Sequence, residues 1–379
     1  MKCQLCGSDP IPFWTVKDVP TSSLVLHPTR DAAQAQPVGD LALEVCPTCG
    51  FIQNAAFDPG AVDYLAPYEE SQANSPTFRR FAQETIDALL ARYPLRGGTV
   101  LEVGCGKAEW LAMLCNSGDM TGVGIDPAYV SGRVPPEDEH RFEVVTEFFG
   151  PDTDLTGDLL VCRHTLEHIP NVREFTTWLG DAGARTPDSV LFVEVPDNGR
   201  ILAEGAFWDM YYEHCAYFTA TSMHNLAAAV GLTVHDLRLA YADQYLLLEA
   251  SPVGKNRPFV DPASTVDAAI AFGERADAAI HTWGQELHGA DRVVLWGATS
   301  KTVSFVGATG ATPAAVVDIN TAKQGTFLPG SGLPIVAPER LSELDPDLVI
   351  AMNPIYLDEI RRDLAGLGVE SRLVGLGAE

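Results

Sequence analysis

Positive charge is scarce in this chain of 379 residues. Lysine and arginine number 25 against 51 aspartates and glutamates, which gives a formal net charge of −26. A surface of this sign repels the phosphate backbone of DNA or RNA unless a local basic stripe overrides the field, and the sequence contains no such stripe. We therefore expect no nucleic-acid partner, although one or two local lysines suffice to bind a small anion.

Long apolar runs are also lacking. No segment approaches the roughly 20 apolar residues of a membrane span. The first ten residues, MKCQLCGSDP, place two cysteines where a signal peptide needs an apolar run. The sequence therefore predicts a cytoplasmic protein that does not enter a membrane, and it gives no indication of an oligomeric state.

Half of the eight cysteines form two CxxC pairs near the start of the chain: Cys3, Cys6, Cys46 and Cys49. In a large intracellular chain this pairing indicates metal ligation rather than disulfides. Four thiolates complete a tetrahedral site with no open position for water, so we expect a structural zinc ion. The alternative is four unliganded thiols. The other four cysteines stand singly in apolar stretches and are expected to be small core residues.

Apolar patterning divides the chain into three predicted domains. Residues 1–62 are rich in turn residues and short of helical periodicity, which is typical of a small unit that a metal stabilises. Residues 63–250 form a middle domain, and a turn-rich linker then opens a C-terminal domain at 251–379. The predicted fold class is α/β throughout the second and third domains.

The middle domain begins with helical periodicity from Tyr64 to about Arg92. Short apolar runs then alternate with helices, which predicts a mostly parallel sheet covered on both faces, closed by two antiparallel strands. The predicted strands are residues 99–103, 121–125, 158–162, 190–195, 232–237 and 245–250. The C-terminal domain is predicted to begin with one long helix over 265–287 and to repeat the strand-helix alternation.

A glycine loop follows the first of these strands. Glu102 lies near the end of the strand, and Gly104 and Gly106 precede the next helix. Glycine lets a ligand approach the backbone where a Cβ would exclude it, and the start of a helix offers free amides, so a nucleotide-type ligand is expected. NAD is disfavoured because Glu109 replaces the third glycine of the dinucleotide fingerprint and would face a pyrophosphate. About 20 residues on, Asp126 ends the second strand, where a carboxylate can accept both ribose hydroxyls.

Loop, spacing and terminal acid resemble the motifs of the Rossmann-like, seven-stranded class I methyltransferases. The resemblance implies S-adenosylmethionine as cofactor, with Gly104, Gly106 and the adjoining Glu102 in its site and Asp126 on its ribose. It also implies that Glu147 and Phe148 flank the adenine. The alternative is a tight strand-to-helix turn with solvated acids.

The third predicted strand, residues 158–162, runs into CRHTLEHIP, residues 162–170. Because the carboxyl ends of parallel strands face the ligand crevice, His164 is expected to form a wall of the cofactor pocket. Glu167 and His168 have either a direct role or a role as capping and packing residues of the next helix.

Aromatic, acidic and imidazole side chains are concentrated in FWDMYYEHCAYFT, residues 207–219. Methyl transfer to a carbon or hydroxyl nucleophile needs alignment and a base that removes a proton. Histidine titrates near neutrality, and a neighbouring acid or phenol can orient it or stabilise developing negative charge. We predict His214 as the base, supported by Tyr211 and Glu213. The alternative is a surface loop whose aromatics pack on the neighbouring domain.

The C-terminal domain repeats a strand-loop-helix pattern in WGATSK, residues 296–301. Free helix amides with Lys301, and Lys323 after the next strand, are predicted to bind an anionic group such as a nucleotide diphosphate in the interdomain cleft. The alternatives are a purely structural lobe or a dimerisation surface.

Over nearly the whole chain, the order of motifs resembles the zinc-containing sugar C-methyltransferases of deoxysugar biosynthesis. The motifs are the CxxC pairs, the glycine loop, HTLEH, EVPDN, YYEHCAYF, LWGATSKTVSF, VVDINTAKQGTFLPG and MNPIY. The resemblance implies methylation of the carbon beside a ketone in a nucleotide-linked keto-sugar. It further implies that His214 removes the α-proton, that Tyr211 and Glu213 lie beside the reacting carbon, and that Tyr68 reaches into the same pocket.

The chain departs from that family at residues 106–108, at Tyr212 and at residues 352–354, which leaves the acceptor open. Three functions remain. The first is a C-methyltransferase acting beside a ketone, and the second is an O-methyltransferase in which His214 deprotonates a hydroxyl. The third is a non-catalytic, zinc-containing nucleotide-binding module whose aromatic loop is an interface.

Overall fold

The computed structural model describes residues 1–62, 68–69, 71–252, 254 and 257–377. Within these residues, the strands form three sheets of four, seven and five strands. No helix in the described ranges is both long enough and apolar enough to cross a membrane.

The N-terminal part contains more regular structure than the sequence indicated. Its elements are β1 (Ile11–Pro20), α1 (Arg30–Gln34), β2 (Val38–Val45) and β3 (Ile52–Asn54). β1 pairs antiparallel with β2, and β2 with β3. The aromatic and β-branched residues of β1 favour a strand, but the strand contains two prolines and two register shifts that interrupt its alternation.

The middle part is a series of strands and helices. In chain order they are α2 (Pro76–Arg92), β4 (Thr99–Val103), α3 (Glu109–Gly118), β5 (Thr121–Ile125), β6 (Phe142–Val145), β7 (Leu159–Arg163), α4 (Val172–Ala184), β8 (Val190–Pro196), α5 (Asn198–Glu204), β9 (Ala216–Tyr217), α6 (Ala220–Ala229), β10 (Thr233–Ala240) and β11 (Tyr245–Ser251). The short strands β6 and β9 were not predicted from the sequence. The predicted helix start at Tyr64 lies outside the described residues; α2 begins at Pro76, and the Ser75 hydroxyl accepts the amide of Phe78.

The seven-stranded sheet has the order β10-β11-β8-β7-β4-β5-β6. The five neighbouring strands β8, β7, β4, β5 and β6 run parallel. β11 pairs antiparallel with both β8 and β10. The predicted antiparallel closing strands are thereby confirmed. The chain crosses over between β4 and β7, and the crevice at such a switch point is where open α/β sheets bind ligands.

Helices cover both faces of this sheet, as predicted. Leu101 and Val103 of β4 belong to one core cluster, which includes Leu179 of α4, whereas Val100 belongs to a second cluster with Leu111 of α3. This division follows from the alternation of side chains along a strand.

The C-terminal part forms a five-stranded sheet. Its elements are α7 (Ala263–Ile270), α8 (Phe272–His288), β12 (Val293–Trp296), α9 (Ser300–Thr309), β13 (Ala315–Val317), β14 (Ile335–Val336), α10 (Leu341–Leu344), β15 (Leu348–Ala351), α11 (Leu357–Leu367) and β16 (Arg372–Gly375). The strand order is β14-β13-β12-β15-β16, with parallel pairing throughout. The single long helix predicted over 265–287 is two helices, separated at Ala271.

The N-terminal sheet is joined to the middle of the chain, because β9 pairs antiparallel with β3. Its cysteines also share a core cluster with residues of the seven-stranded sheet. The division at 62 and 250 stays a prediction. The linker predicted at 251–262 contains residues 253, 255 and 256, which lie outside the described residues.

Candidate active site

The glycine loop between β4 and α3 is tied to the end of β5 by one carboxylate. Both oxygens of Asp126 accept backbone amides at 2.8 Å, Oδ2 from Gly106 and Oδ1 from Ala128. Gly104 and Gly106 have φ angles of +72° and +53°, a region that glycine adopts without steric cost. These three predicted cofactor residues therefore form one unit at the carboxyl ends of neighbouring strands.

Glu102 lies in β4 directly beneath this loop and is 2% exposed. Within the described part of the chain, its Oε2 has no hydrogen-bond partner. Burial raises the pKa of Glu102 to about 8; Arg163 opposes this increase, and Glu194 and Asp126 add to it. The carboxyl group is therefore mostly protonated at neutral pH, and a cationic ligand would favour its ionised form.

The two residues predicted to flank an adenine differ in position. Phe148 follows β6 and is 72% exposed. It lines a large cavity that the glycine loop and Asp126 also line. Glu147 is exposed and does not line that cavity. The structure thus brings Phe148, but not Glu147, to the site.

His164 follows β7 and lies beside two buried carboxylates. Its Nε2 is 2.8 Å from Glu194 Oε1, and its Nδ1 is 3.6 Å from Glu167 Oε1. Burial lowers the pKa of His164, but Glu167 and Glu194 outweigh burial and raise it to about 9. The ring at this wall of the cavity is therefore positively charged at neutral pH.

A buried ion pair that the sequence analysis missed lies next to His164. Arg163 donates from Nε and Nη2 to Glu194 at 3.0 and 2.9 Å, and its guanidinium lies 4.7 Å from the centre of the Trp110 ring. The parallel pairing of β7 and β8 places these two charged residues opposite each other. The sequence signal that could have predicted this ion pair is a charged residue near the end of each of these two apolar strands.

The aromatic loop, residues 207–219, brings His214 against two other rings. The ring centres of Tyr211 and His168 lie 4.8 and 4.9 Å from that of His214. Burial lowers the pKa of His214 to about 3, and His168 adds to this effect. The His214 ring is therefore neutral at neutral pH and keeps a nitrogen lone pair.

Tyr211 belongs to a charged network inside the same cavity. Its hydroxyl donates to Asp209 Oδ1 at 2.8 Å. Asp209 forms ion pairs with Lys301 at 2.7 Å and with Arg200 at 2.9 Å. Lys301, predicted to bind an anion, thus lies beside the aromatic loop with its charge balanced by Asp209. Neither Asp209 nor Arg200 was predicted from the sequence as a site residue.

Glu213 is turned away from the cavity. Its carboxylate accepts hydrogen bonds from the backbone amide of Ser23 at 2.6 Å and from the Ser23 hydroxyl at 2.9 Å. The Ser23 and Ser300 hydroxyl oxygens are 2.6 Å apart. Tyr211 and His214 both line the cavity, whereas Glu213 does not.

Lys323 and Asp318 lie at the carboxyl ends of the second sheet. Lys323 Nζ donates to the Ala298 carbonyl at 2.8 Å and is 3.6 Å from Asp318 Oδ2. Asp318 accepts the backbone amides of Ala298 and Asn320, both at 2.8 Å. Asp318 lies in the motif VVDINTAKQGTFLPG but was not predicted from the sequence as a site residue.

Tyr68 and Glu69 contact loops that follow strands of two different sheets, the seven-stranded one and the five-stranded one. The Tyr68 carbonyl accepts a hydrogen bond from Lys107 Nζ at 3.0 Å. The carboxylate of its neighbour Glu69 accepts from Arg133 at 2.8 Å and from Asn320 at 3.0 Å. These two residues therefore connect the glycine loop with the end of β13.

One cavity of about 760 Å³ joins these groups. It is large enough for a cofactor together with a second ligand. Most of the predicted site residues line it: Tyr68, Glu102, Gly104, Gly106, Asp126, Phe148, His164, Tyr211, His214, Lys301 and Lys323.

The four N-terminal cysteines form a separate cluster. The sulfurs of Cys3 and Cys49 are 3.6 Å apart and those of Cys6 and Cys46 are 3.4 Å apart, and all four lie within 4.8 Å of one another. Zinc-sulfur bonds of about 2.3 Å in a tetrahedron require sulfur-sulfur distances of about 3.8 Å. The donor set and its spacing therefore fit a tetrahedral metal ion.

Two family models match the chain. One describes a methyltransferase domain and matches residues 78–237; the other describes a C-methyltransferase C-terminal domain and matches residues 271–371. Among curated proteins, the C-methyltransferase NovU of Streptomyces niveus is 25% identical to this chain. The alignment is 392 positions long and covers 95% of this chain and 91% of that one.

Solved structures match parts of the chain at low similarity. N,N-8-amino-8-demethyl-D-riboflavin dimethyltransferase from Streptomyces davawensis is 19% identical with a TM-score of 0.36, over 46% of this chain and 55% of that chain. The magnesium protoporphyrin IX methyltransferase of Synechocystis PCC 6803, with SAH bound, is 16% identical with a TM-score of 0.37, over 49% of this chain and 90% of that chain.

Proposed function

We propose that this chain, which is an S-adenosylmethionine-dependent methyltransferase of the C-methyltransferase family, deprotonates a carbon next to a ketone and methylates that carbon. The acceptor in this proposal is a nucleotide-linked keto-sugar. One observation carries it: His214 lines the same cavity as the glycine loop and Asp126. When bound, S-adenosylmethionine supplies an electrophilic methyl group to this cavity.

His214 accepts the α-proton of the acceptor in this proposal. The electron pair of the broken C–H bond forms the enolate, and the enolate carbon bonds to the methyl group as the methyl-sulfur bond breaks. Tyr211, in ring contact with His214, orients the imidazole. Glu167 has a carboxylate oxygen within 4.8 Å of a His214 ring nitrogen, and its negative charge stabilises the imidazolium that forms.

Glu213 supports the base indirectly in this proposal. Its carboxylate holds Ser23 and, through that residue, lies next to Ser300 at the start of α9. It therefore positions the aromatic loop against the C-terminal sheet, while Tyr211 and His214 contact the acceptor.

The C-terminal sheet binds the nucleotide part of the acceptor in this proposal. The start of α9 faces the cavity with Lys301, and free amides at a helix N-terminus favour an anionic group. Lys323 lies nearby, and Asp318 is held by two amides in the way that Asp126 is held. This arrangement suits a diphosphate beside the lysines and a ribose at the aspartate; Tyr68 closes the space between the two ligands.

We also propose that Cys3, Cys6, Cys46 and Cys49 bind a structural zinc ion. The spacing of the four sulfurs supports this assignment. The cluster shares a core with the seven-stranded sheet, so the zinc would stabilise the junction between the N-terminal sheet and the methyltransferase domain rather than take part in the chemistry.

Exchange of the acceptor's α-proton with solvent tests the proposal. We would incubate the protein with keto-sugar nucleotides in D₂O, with the demethylated cofactor present so that no methyl transfer follows, and monitor deuterium incorporation by NMR. His214→Asn should slow both this exchange and methyl transfer by roughly 10²- to 10⁴-fold, the usual contribution of a general base. His140→Gln is the matched control, because His140 is exposed and does not line the cavity.

The product distinguishes the alternatives. A methyl group on oxygen, without deuterium at the α-carbon, would replace this proposal by the O-methyltransferase. Equal turnover in the wild type and His214→Asn would remove His214 from the chemistry.

A further inference from the structure

Three metal-binding side chains converge at one end of the cavity. Glu167, His168 and His214 each offer a ligand atom, and these atoms lie within 4.8 Å of one another. All three line the cavity. They come from two separate segments, residues 166–168 after β7 and the aromatic loop, so their proximity is produced by the fold.

The carboxylate of Glu167 is incompletely paired. The residue is 2% exposed, and in the part of the chain that the structure describes its Oε2 has no hydrogen-bond partner. Its Oε1 lies 3.6 Å from His164 Nδ1. A buried oxygen without a donor is costly, and a cation in the cavity would satisfy it.

The orientation of His168 suits a metal ligand. Its Nδ1 lies 3.0 Å from the carbonyl oxygen of Glu213. Because a carbonyl oxygen only accepts, Nδ1 carries the hydrogen, and in the neutral ring the lone pair is on Nε2. Histidines that bind metals usually donate their other ring nitrogen to a carbonyl or carboxylate in this way, which fixes the tautomer.

We propose that Glu167, His168 and His214 bind one divalent transition-metal ion, such as Co²⁺, Ni²⁺ or Zn²⁺. Two imidazoles and a carboxylate favour these ions over Mg²⁺ or Ca²⁺. Metal-ligand bonds of about 2.0–2.2 Å need ligand atoms roughly 3–4 Å apart, so small side-chain movements suffice. This site is distinct from the cysteine cluster and uses no sulfur.

Metal binding here has a consequence that rests on the proposed role of His214. A bound ion takes the imidazole lone pair that would otherwise accept the acceptor's proton. Excess Co²⁺ or Zn²⁺ should therefore inhibit methyl transfer, and a chelator that leaves the cysteine-bound metal in place should restore it.

Cobalt titration of the tag-free full chain, loaded with one zinc ion per chain for the cysteine cluster, tests the site without turnover. We expect one additional Co²⁺ per chain, with weak visible absorption and no thiolate charge-transfer band. Glu167→Gln and His168→Asn should weaken this binding by more than about tenfold, which is the loss that even an outer-shell partner can produce. His140→Gln is the control and should bind cobalt as the wild type does.

Absence of a stoichiometric cobalt ion, or unchanged binding in folded Glu167→Gln and His168→Asn, would overturn the inference. If these variants do not fold, chemical modification of the wild type decides. Cobalt should protect His168 and His214 from diethyl pyrocarbonate while exposed His140 and His281 still react; equal modification with and without cobalt would also overturn it. A protein that binds this cobalt but transfers no methyl group even in its cobalt-free form would contradict the proposed function alone.

Discussion

Asp126 and Asp318 hold equivalent positions in two different sheets. Each follows the second strand of its series and accepts two backbone amides at 2.8 Å, from a residue 20 positions earlier and a residue two positions later. Both line the same cavity. The local geometry that we assign to the cofactor's ribose in the first sheet therefore recurs in the second, where we assign it to the acceptor's nucleotide.

The two aspartates should be separable by binding measurements. Asp126→Asn should weaken binding of S-adenosylmethionine by about 10- to 100-fold and leave binding of a nucleoside diphosphate unchanged, and Asp318→Asn should do the reverse. The magnitude follows from a charged hydrogen bond contributing about 1.5–3 kcal/mol. Calorimetric titration with each ligand measures it. A loss of both ligands in both folded variants would contradict two separate subsites.

The raised pKa of Glu102 predicts that the protein releases a proton when it binds the cofactor. Burial raises the Glu102 pKa from an ordinary 4.5 to about 8, so the free protein keeps this carboxyl mostly protonated at pH 7. A cationic cofactor in the glycine loop stabilises the carboxylate, and binding should release up to about one proton per chain. Calorimetry at pH 7 in buffers of different ionisation enthalpy measures this number. Glu102→Gln should abolish it, and an equal release from both proteins would place the ionisation elsewhere.

The same shift fixes the sign of a stability change. Between pH 4.5 and about 8 the folded state holds more protons on Glu102 than the unfolded state. The stabilisation from this group is complete below pH 4.5 and is lost as the pH rises through about 8. The free energy of unfolding of the wild type should therefore fall relative to Glu102→Gln over this range, and denaturant unfolding at several pH values measures the difference.

The sequence predicted the repeating elements of this fold better than its irregular ones. The alternation of apolar strands and helices located β4 and β5 at the residues observed, and the methyltransferase prediction is confirmed by the two domain matches. β1 was missed because its prolines and its two register shifts obscure the alternation, and β9 because two residues carry no periodicity.

Side-chain partners at the site were harder to predict. His214 and Tyr211 were found because a cluster of aromatic and imidazole side chains is visible in one short segment. The Glu213 carboxylate instead pairs with Ser23, which is 190 residues away in the chain. No local pattern predicts such a partner, and the same applies to Lys301 and Asp209, whose pairing depends on how the two sheets pack.

The Arg163-Glu194 pair should be essential for stability. Both side chains are buried, with 8% and 0% exposed, and removing one partner leaves an uncompensated charge. Glu194→Gln should therefore lower the free energy of unfolding by about 3–5 kcal/mol, measured by denaturant titration. Arg163→Met combined with Glu194→Leu should recover part of this loss. A change below about 1 kcal/mol in Glu194→Gln would mean that water or Glu102 compensates the guanidinium.

The cysteine cluster should couple zinc content to stability. Cys46→Ser should remove the metal and lower the melting temperature, because a structural site contributes its binding free energy to folding and this one shares a core with Phe51 and Cys215. Cys115→Ala is the control, since Cys115 is buried in α3 and lies outside the cluster; it should keep its zinc. Elemental analysis and thermal unfolding measure the two effects separately.

Because the cluster does not line the cavity, cofactor binding measured well below the melting temperature should survive in Cys46→Ser. Loss of that binding in a variant that is still folded would show that the metal also shapes the cofactor site, and zinc-free wild type with unchanged stability would remove the metal from the structure altogether.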